Sequence, residues 1–188
     1  DVNPSRGLGD VYKRQGIECL EKINGGEKGI KEFAKKLEDH GTPLLALRSG
    51  GLMIDPKYGE DNYKRIISSF KFAEFFNTKL INGAISIPEK SPYLDTGTEL
   101  ISSEWVAHAG LPFSQNSSRE TTLPEYELLA KKYSEVCDLA KEFDISISCE
   151  VHQNSPVDNS WSAKLIHKLV NKDNFGINPD LGNILWNY

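Results

Sequence analysis

From Gly16 onward, short stretches in which apolar and polar residues alternate are separated by longer ones in which apolar residues return every three or four positions. The alternating stretches are Gly16–Leu20, Leu44–Ser49, Leu80–Ile87, Ile145–Val151 and Phe175–Asp180. A period of two predicts β-strands. Between the first two, Ile30, Phe33, Ala34 and Leu37 mark a helix from about Glu27 to Asp39. His40-Gly41 stops it, glycine being suited to the left-handed cap. A second helix is predicted over roughly Asn62 to Phe76, with Ile66, Ile67, Phe70 and Ala73 as its apolar stripe. The third runs from about Pro124 to Phe143, with Leu129, Tyr133, Val136 and Ala140 facing inward. Thr122 and Glu125 stand at capping-box spacing at its start. A fourth, Trp161 to Val170, follows the helix-starting pair Asn159-Ser160. Strands alternating with helices of this size predict a parallel sheet under helical cover.

The strands have two unlike faces. One carries Leu45 and Leu47, Ile81 and Ile85, Ile147, Cys149 and Val151, then Phe175 and Ile177. The other carries Glu18, Arg48, Asn82, Ser148, Glu150, His152, Asn178 and Asp180. A doubly wound sheet, covered on both sides, would be apolar on both faces. A barrel buries one face under its helices and turns the other inward, with chemical groups at the C-terminal strand ends. The expected fold is therefore α/β, a partial (β/α)8 barrel of about five βα units.

Length and charge narrow this further. The chain has 188 residues, whereas a complete eight-unit barrel takes about 250. A net charge of −5 supplies no basic face for nucleic acid, and no apolar run is long enough for a membrane span. Cys19, Cys137 and Cys149 fit reduced, buried thiols better than a disulfide framework, in keeping with a cytoplasmic location. Residues 1–15 have neither strand nor helix period and read as a non-native leader, leaving 16–188 as one incomplete barrel domain. The long irregular stretch Pro88 to Thr121, with a short helix expected over Leu100–Ala109, has the length of a functional lid.

Glu150 and Asp180 end two successive strands with the same inward parity. Neighbouring strands lie about 4.8 Å apart, so such carboxylates can share a cation. Oxygen ligands suit Mn, Mg, Co or Zn without choosing among them. The plainer alternative, equally weighted on spacing alone, is that each acid caps a helix or pairs with a Lys or Arg.

The segments ISCEVHQNS (Ile147–Ser155) and NFGINPDLGNILW (Asn174–Trp186) resemble strands five and six of the xylose isomerase-like TIM barrel family of sugar phosphate isomerases and epimerases. KLINGAISIP and GIECLE extend the resemblance more weakly to nearly everything after residue 15. It implies strands two to six of the barrel, with the last strands lacking. It also implies that Glu150 and Asp180 are metal ligands, and that Glu150 doubles as the catalytic acid/base in proton transfer through an enediolate. A strand-seven His and a strand-eight Glu complete the family's site and have no counterpart before Tyr188, so the chain alone is expected to be inactive. Relatives place a substrate-contacting His three residues after the strand-six Asp. Here that residue is Asn183, which hydrogen-bonds but does not titrate near neutrality.

Other candidates are weaker. His152, Asn183, Arg48 and Trp186 are expected to contact substrate; for Arg48 and Glu18 a buried ion pair is at least as good a reading, and for Trp186 plain packing is equally good. His167 reads as a surface residue, His40 as a helix end, and Gly25-Gly26 and Gly50-Gly51 as turns. The expected activity is a metal-dependent isomerase or epimerase acting on a small carbohydrate, compatible with a homo-oligomer. Its rivals are a polyol dehydratase or lyase of the same superfamily and a non-catalytic carbohydrate-binding barrel. An apurinic-site endonuclease is disfavoured by four scattered histidines and the negative charge.

Overall fold

In the computed structural model the described residues are 25–55, 59–83, 117–152 and 155–185. The elements in chain order are α1 (Glu27–Asp39), β1 (Leu47–Ser49), α2 (Gly59–Phe76), β2 (Leu80–Gly83), α3 (Leu123–Lys141), β3 (Ser146–Glu150), α4 (Ser160–Val170), β4 (Phe175–Asn178) and α5 (Leu181–Leu185). The strands pair in parallel as neighbours in the order β1-β2-β3-β4. A doubly wound sheet reverses its order at a switch point. Here the order runs on without reversal, and successive helices lie side by side, α1 on α2, α2 on α3 and α3 on α4. This is a sector of a TIM barrel.

Local chemistry sets the helix ends. The ring of His40 bonds from Nδ1 to the Lys36 carbonyl at 2.7 Å, and Gly41 follows at φ 67. At the start of α3, Glu125 Oε2 accepts from the Thr122 backbone N–H at 2.7 Å and from its hydroxyl at 2.6 Å. Asn159 Oδ1 caps α4 by accepting the N–H groups of Trp161 and Ser162, each at 3.0 Å. Left-handed Asn171, at φ 47, closes that helix. After β1 the chain turns through Gly50 at φ 111, where an added Cβ would stand 2.9 Å from the Ile66 side chain. Only glycine fits so close to α2.

Leu47, Ile81, Ile147, Cys149 and Phe175 bury the outer face of the sheet against Ile66, Phe70, Leu129, Tyr133 and Val136 of the helices. The segment beginning at Ser117 is fastened to the β3–α4 loop. There the Ser118 N–H donates to Asp158 Oδ2 at 3.2 Å, and Asn159 Nδ2 donates to Ser118 Oγ at 2.7 Å. Among the described residues no helix is long and apolar enough to cross a membrane.

Four expectations are corrected. The strands are shorter than their alternation: β1 begins at Leu47 and β4 ends at Asn178, because a strand lasts only while its neighbour offers a partner. Leu45, expected in the core, is 82% exposed. It precedes the paired segment, and its carbonyl accepts from the Thr78 hydroxyl at 2.8 Å. Helix α3 stops at Lys141, ahead of left-handed Asp144. Helix α5 is additional, five residues being too short for a readable period. The segment Gly16–Leu20 and the short helix Leu100–Ala109 lie outside the described residues, as do residues 1–15.

Adjacent leucines test this assignment of faces. Leu129 is wholly buried while Leu128 is 48% exposed. Leu129→Ala is expected to lower unfolding free energy by about 2–5 kcal/mol, and Leu128→Ala by less than about 0.5 kcal/mol, read from urea denaturation. A second test concerns the thiols. Cys137 and Cys149 are free and buried, and burial pushes both up to about 12. In a Cys19→Ser background neither should react with a thiol-specific reagent at pH 8 until the protein is denatured. Rapid native labelling would contradict the packing.

Candidate active site

The inner face is built by register. Arg48 pairs with Asn82, Asn82 with Ser148, and Ser148 with Gly176, so these residues form one row across the sheet. Two residues further up β3 stands Glu150, opposite Asn178 on β4. Since side chains alternate along a strand, Glu150 projects from the same face as Arg48, Asn82 and Ser148.

Glu150 is 6% exposed, and its carboxylate is met by N–H donors from three elements. Asn82 Nδ2 donates to Oε2 at 2.7 Å. Arg48 Nη2 stands 3.5 Å and Asn183 Nδ2 3.4 Å from Oε1. The Asn82 amide is itself oriented, because the Ser148 hydroxyl donates to its Oδ1 at 2.9 Å. With the oxygen so engaged, only the NH2 can face the carboxylate. Oε2 is therefore held firmly. The two donors to Oε1 lie beyond the usual 2.7–3.2 Å of a good N–H···O bond, which leaves that oxygen able to accept more.

Asp180 lies two residues past Asn178, on the same parity, and is half-buried. Its Oδ1 accepts the Asn183 backbone N–H at 3.1 Å, so it caps α5. Both plainer roles weighed for these acids are thus present: Asp180 caps a helix and Glu150 pairs with Arg48. Neither role exhausts its carboxylate, which offers about four acceptor positions. Asn183 joins the two acids, touching Asp180 with its backbone N–H and Glu150 with its side chain, and it also donates to the Val151 carbonyl at 3.0 Å.

The remaining candidates are spread unevenly. His152 is buried at the end of β3; its N–H donates to the Val157 carbonyl at 2.9 Å and its carbonyl accepts from the Ser155 hydroxyl at 2.8 Å, closing a turn at the barrel mouth. Arg48 keeps its Nε buried without a partner among the described residues. Trp186 and Glu18 fall outside the described residues. His167 is exposed on α4 with its ring 6.2 Å from that of Phe175. Cys149, next to Glu150, faces the other way, and its high thiol pKa comes from burial despite a hydrogen bond with Tyr133. It is no nucleophile.

Asn82 and Ser148 were not singled out from the sequence as site residues. Their signal was parity alone, since both fall on the polar face that carries Glu150.

The donor set suits a hard divalent cation in part. Two carboxylates, one ending β3 and one just past β4, the first with a loosely held oxygen, are oxygen ligands of the right kind. Among the described residues no third His, Cys, Asp or Glu joins them in one group. Glycine at position 182 keeps the flank of Asp180 open, as a Cβ there would stand 3.2 Å from Oδ1.

No curated protein matches this sequence. Several solved structures share its fold. A xylose isomerase-like TIM barrel protein from Mycobacterium smegmatis, in complex with magnesium, is 20% identical with a TM-score of 0.62, over 85% of this chain and 48% of its own. A probable 3-DHS dehydratase, AsbF, from Bacillus anthracis is 14% identical with a TM-score of 0.56, over 89% of this chain and 59% of its own. A D-psicose 3-epimerase, solved in the presence of D-fructose, is 14% identical with a TM-score of 0.54, over 79% and 46%. The chain spans about half the length of these structures. At such identities they establish the fold alone. The family model described as xylose isomerase-like TIM barrel matches residues 10–188, and on that match the chain belongs to the xylose isomerase-like TIM barrel family.

Proposed function

We propose that this chain carries the Glu150–Asp180 part of a metal-dependent sugar isomerase or epimerase site, with Glu150 as the group that moves a proton at substrate carbon. The observation behind this reading is that two carboxylates from neighbouring strand ends are tied together by one residue, Asn183. Solved proteins of the fold include an epimerase and a magnesium complex, which lends it support. Glu150 and Asp180 would hold the cation. When bound, such a cation withdraws electron density from substrate oxygens and so eases loss of the neighbouring carbon-bound proton.

The chain's own residues supply the rest. Asn82 fixes Oε2, and Oε1, with only its two longer contacts to Arg48 and Asn183, is the oxygen left to act as general base. Exclusion of water around the buried carboxylate strengthens every charge–dipole interaction made there. Arg48, with N–H capacity to spare beside Oε1, is placed to hydrogen-bond an oxygen that gains charge as the proton leaves for an enediolate. His152, at the mouth, and Trp186 are proposed substrate contacts.

The test is performed on the complete protein. It should copurify with, or take up, a divalent ion of the Mn, Mg, Co or Zn group. Incubated in heavy water with a panel of ketoses and aldoses, it should incorporate deuterium at carbon in one of them. Glu150→Gln should lower that exchange by about 10²–10⁴-fold with the circular dichroism spectrum unchanged. Loss of water from a polyol substrate would point instead to a dehydratase. Sugar binding without exchange or metal would make the barrel a binding module.

A further inference from the structure

We infer that Asn183 is a positioning residue that sets the Glu150 and Asp180 carboxylates against each other, and that it makes no substrate contact of its own through its amide hydrogens. The inference rests on the preceding reading of these two acids as ligands of a divalent cation. A primary amide side chain has two N–H donors and the backbone a third. One side-chain donor meets the Val151 carbonyl at 3.0 Å, the other faces Glu150 Oε1 at 3.4 Å, and the backbone N–H meets Asp180 Oδ1 at 3.1 Å. All three are directed at protein acceptors. Asn183 is 8% exposed, so water does not compete for them.

The arrangement constrains both acids at once. Val151 directly follows Glu150, and Asn183 holds the main chain of one at 3.0 Å and makes a longer, 3.4 Å contact with the carboxylate of the other. Through its backbone it also orients the carboxylate that opens α5. A neutral imidazole carries one N–H and could not serve both Val151 and Glu150. The amide is therefore suited to bridging in a way that histidine is not.

The experiment uses the complete protein and Mn²⁺ alone as probe, by titration calorimetry, for the wild type, Asn183→Ala and Asn183→His. Both variants should bind Mn²⁺ about 10–100-fold more weakly, the range seen when a residue orienting a ligand is lost. At saturating Mn²⁺, kcat should fall while KM for the exchanging sugar stays within about twofold, as expected when an interaction absent from substrate binding is removed. Thermal melts confirm that the variants fold. Unchanged Mn²⁺ affinity in either folded variant, or a KM raised tenfold with affinity intact, would overturn the assignment and make Asn183 a substrate contact. Wild-type protein that takes up no Mn²⁺ would instead overturn the metal reading itself, and this inference with it.

Discussion

Withdrawing the Glu150 carboxylate from water is the demand that the inner half of this structure answers. A buried, uncompensated carboxylate costs several kcal/mol even after the surroundings relax. Compensation comes from Asn82 on β2, Arg48 on β1 and Asn183 on α5, three segments far apart in sequence. None of these donors can reach Glu150 unless the parallel register is kept. A one-residue slip of β2 would turn Asn82 to the helical side and Ile81 toward the carboxylate. Fold and site are thus one constraint: the pairing that buries Ile81 and Ile147 on one face delivers Asn82 and Glu150 on the other.

The division between faces reaches single residues. Cys149 and Glu150 are adjacent, and each is buried, yet their chemistry is opposite. The thiol looks outward into packed helices, beside a Tyr133 hydroxyl whose own pKa burial raises well above the ordinary value. The carboxylate looks inward to amides and a guanidinium. Helical cover packs the outer side with apolar groups, while the inner side gathers polar and charged ones around Glu150. A barrel needs no other device to separate stability from chemistry.

Much of this was legible along the chain, for physical reasons that also mark the limits. Helix α1 runs over the span its 3.6-residue period indicates, because Gly41 supplies the left-handed stop. Two-residue alternation located all four described strands but overran their ends at Leu45 and Asp180, since alternation is local while pairing depends on a neighbour. Glu150 stood out as a charged residue at the C-terminal end of a strand, on a mostly small and polar face. Asn82 and Ser148 did not, because an amide or hydroxyl acquires meaning only from its partner. The bridging by Asn183 was illegible for a stronger reason. It depends on α5 turning back over the end of β3, and a five-residue helix leaves no periodic trace.

Arg48 carries the last step. Guanidinium has five donors, yet its contact with Glu150 is 3.5 Å long and its Nε is buried without a partner among the described residues. An unsatisfied buried donor costs about 1–3 kcal/mol. A Met or Leu at this position would remove the unsatisfied donor but would also take away one of the groups that compensate the Glu150 carboxylate. An underused guanidinium beside an underused carboxylate oxygen fits the function proposed above, in which a substrate oxygen would supply the missing acceptor. Its looseness sets the contact around Oε1 apart from a tight, fully satisfied ion pair, which would leave neither group an open hydrogen-bonding position.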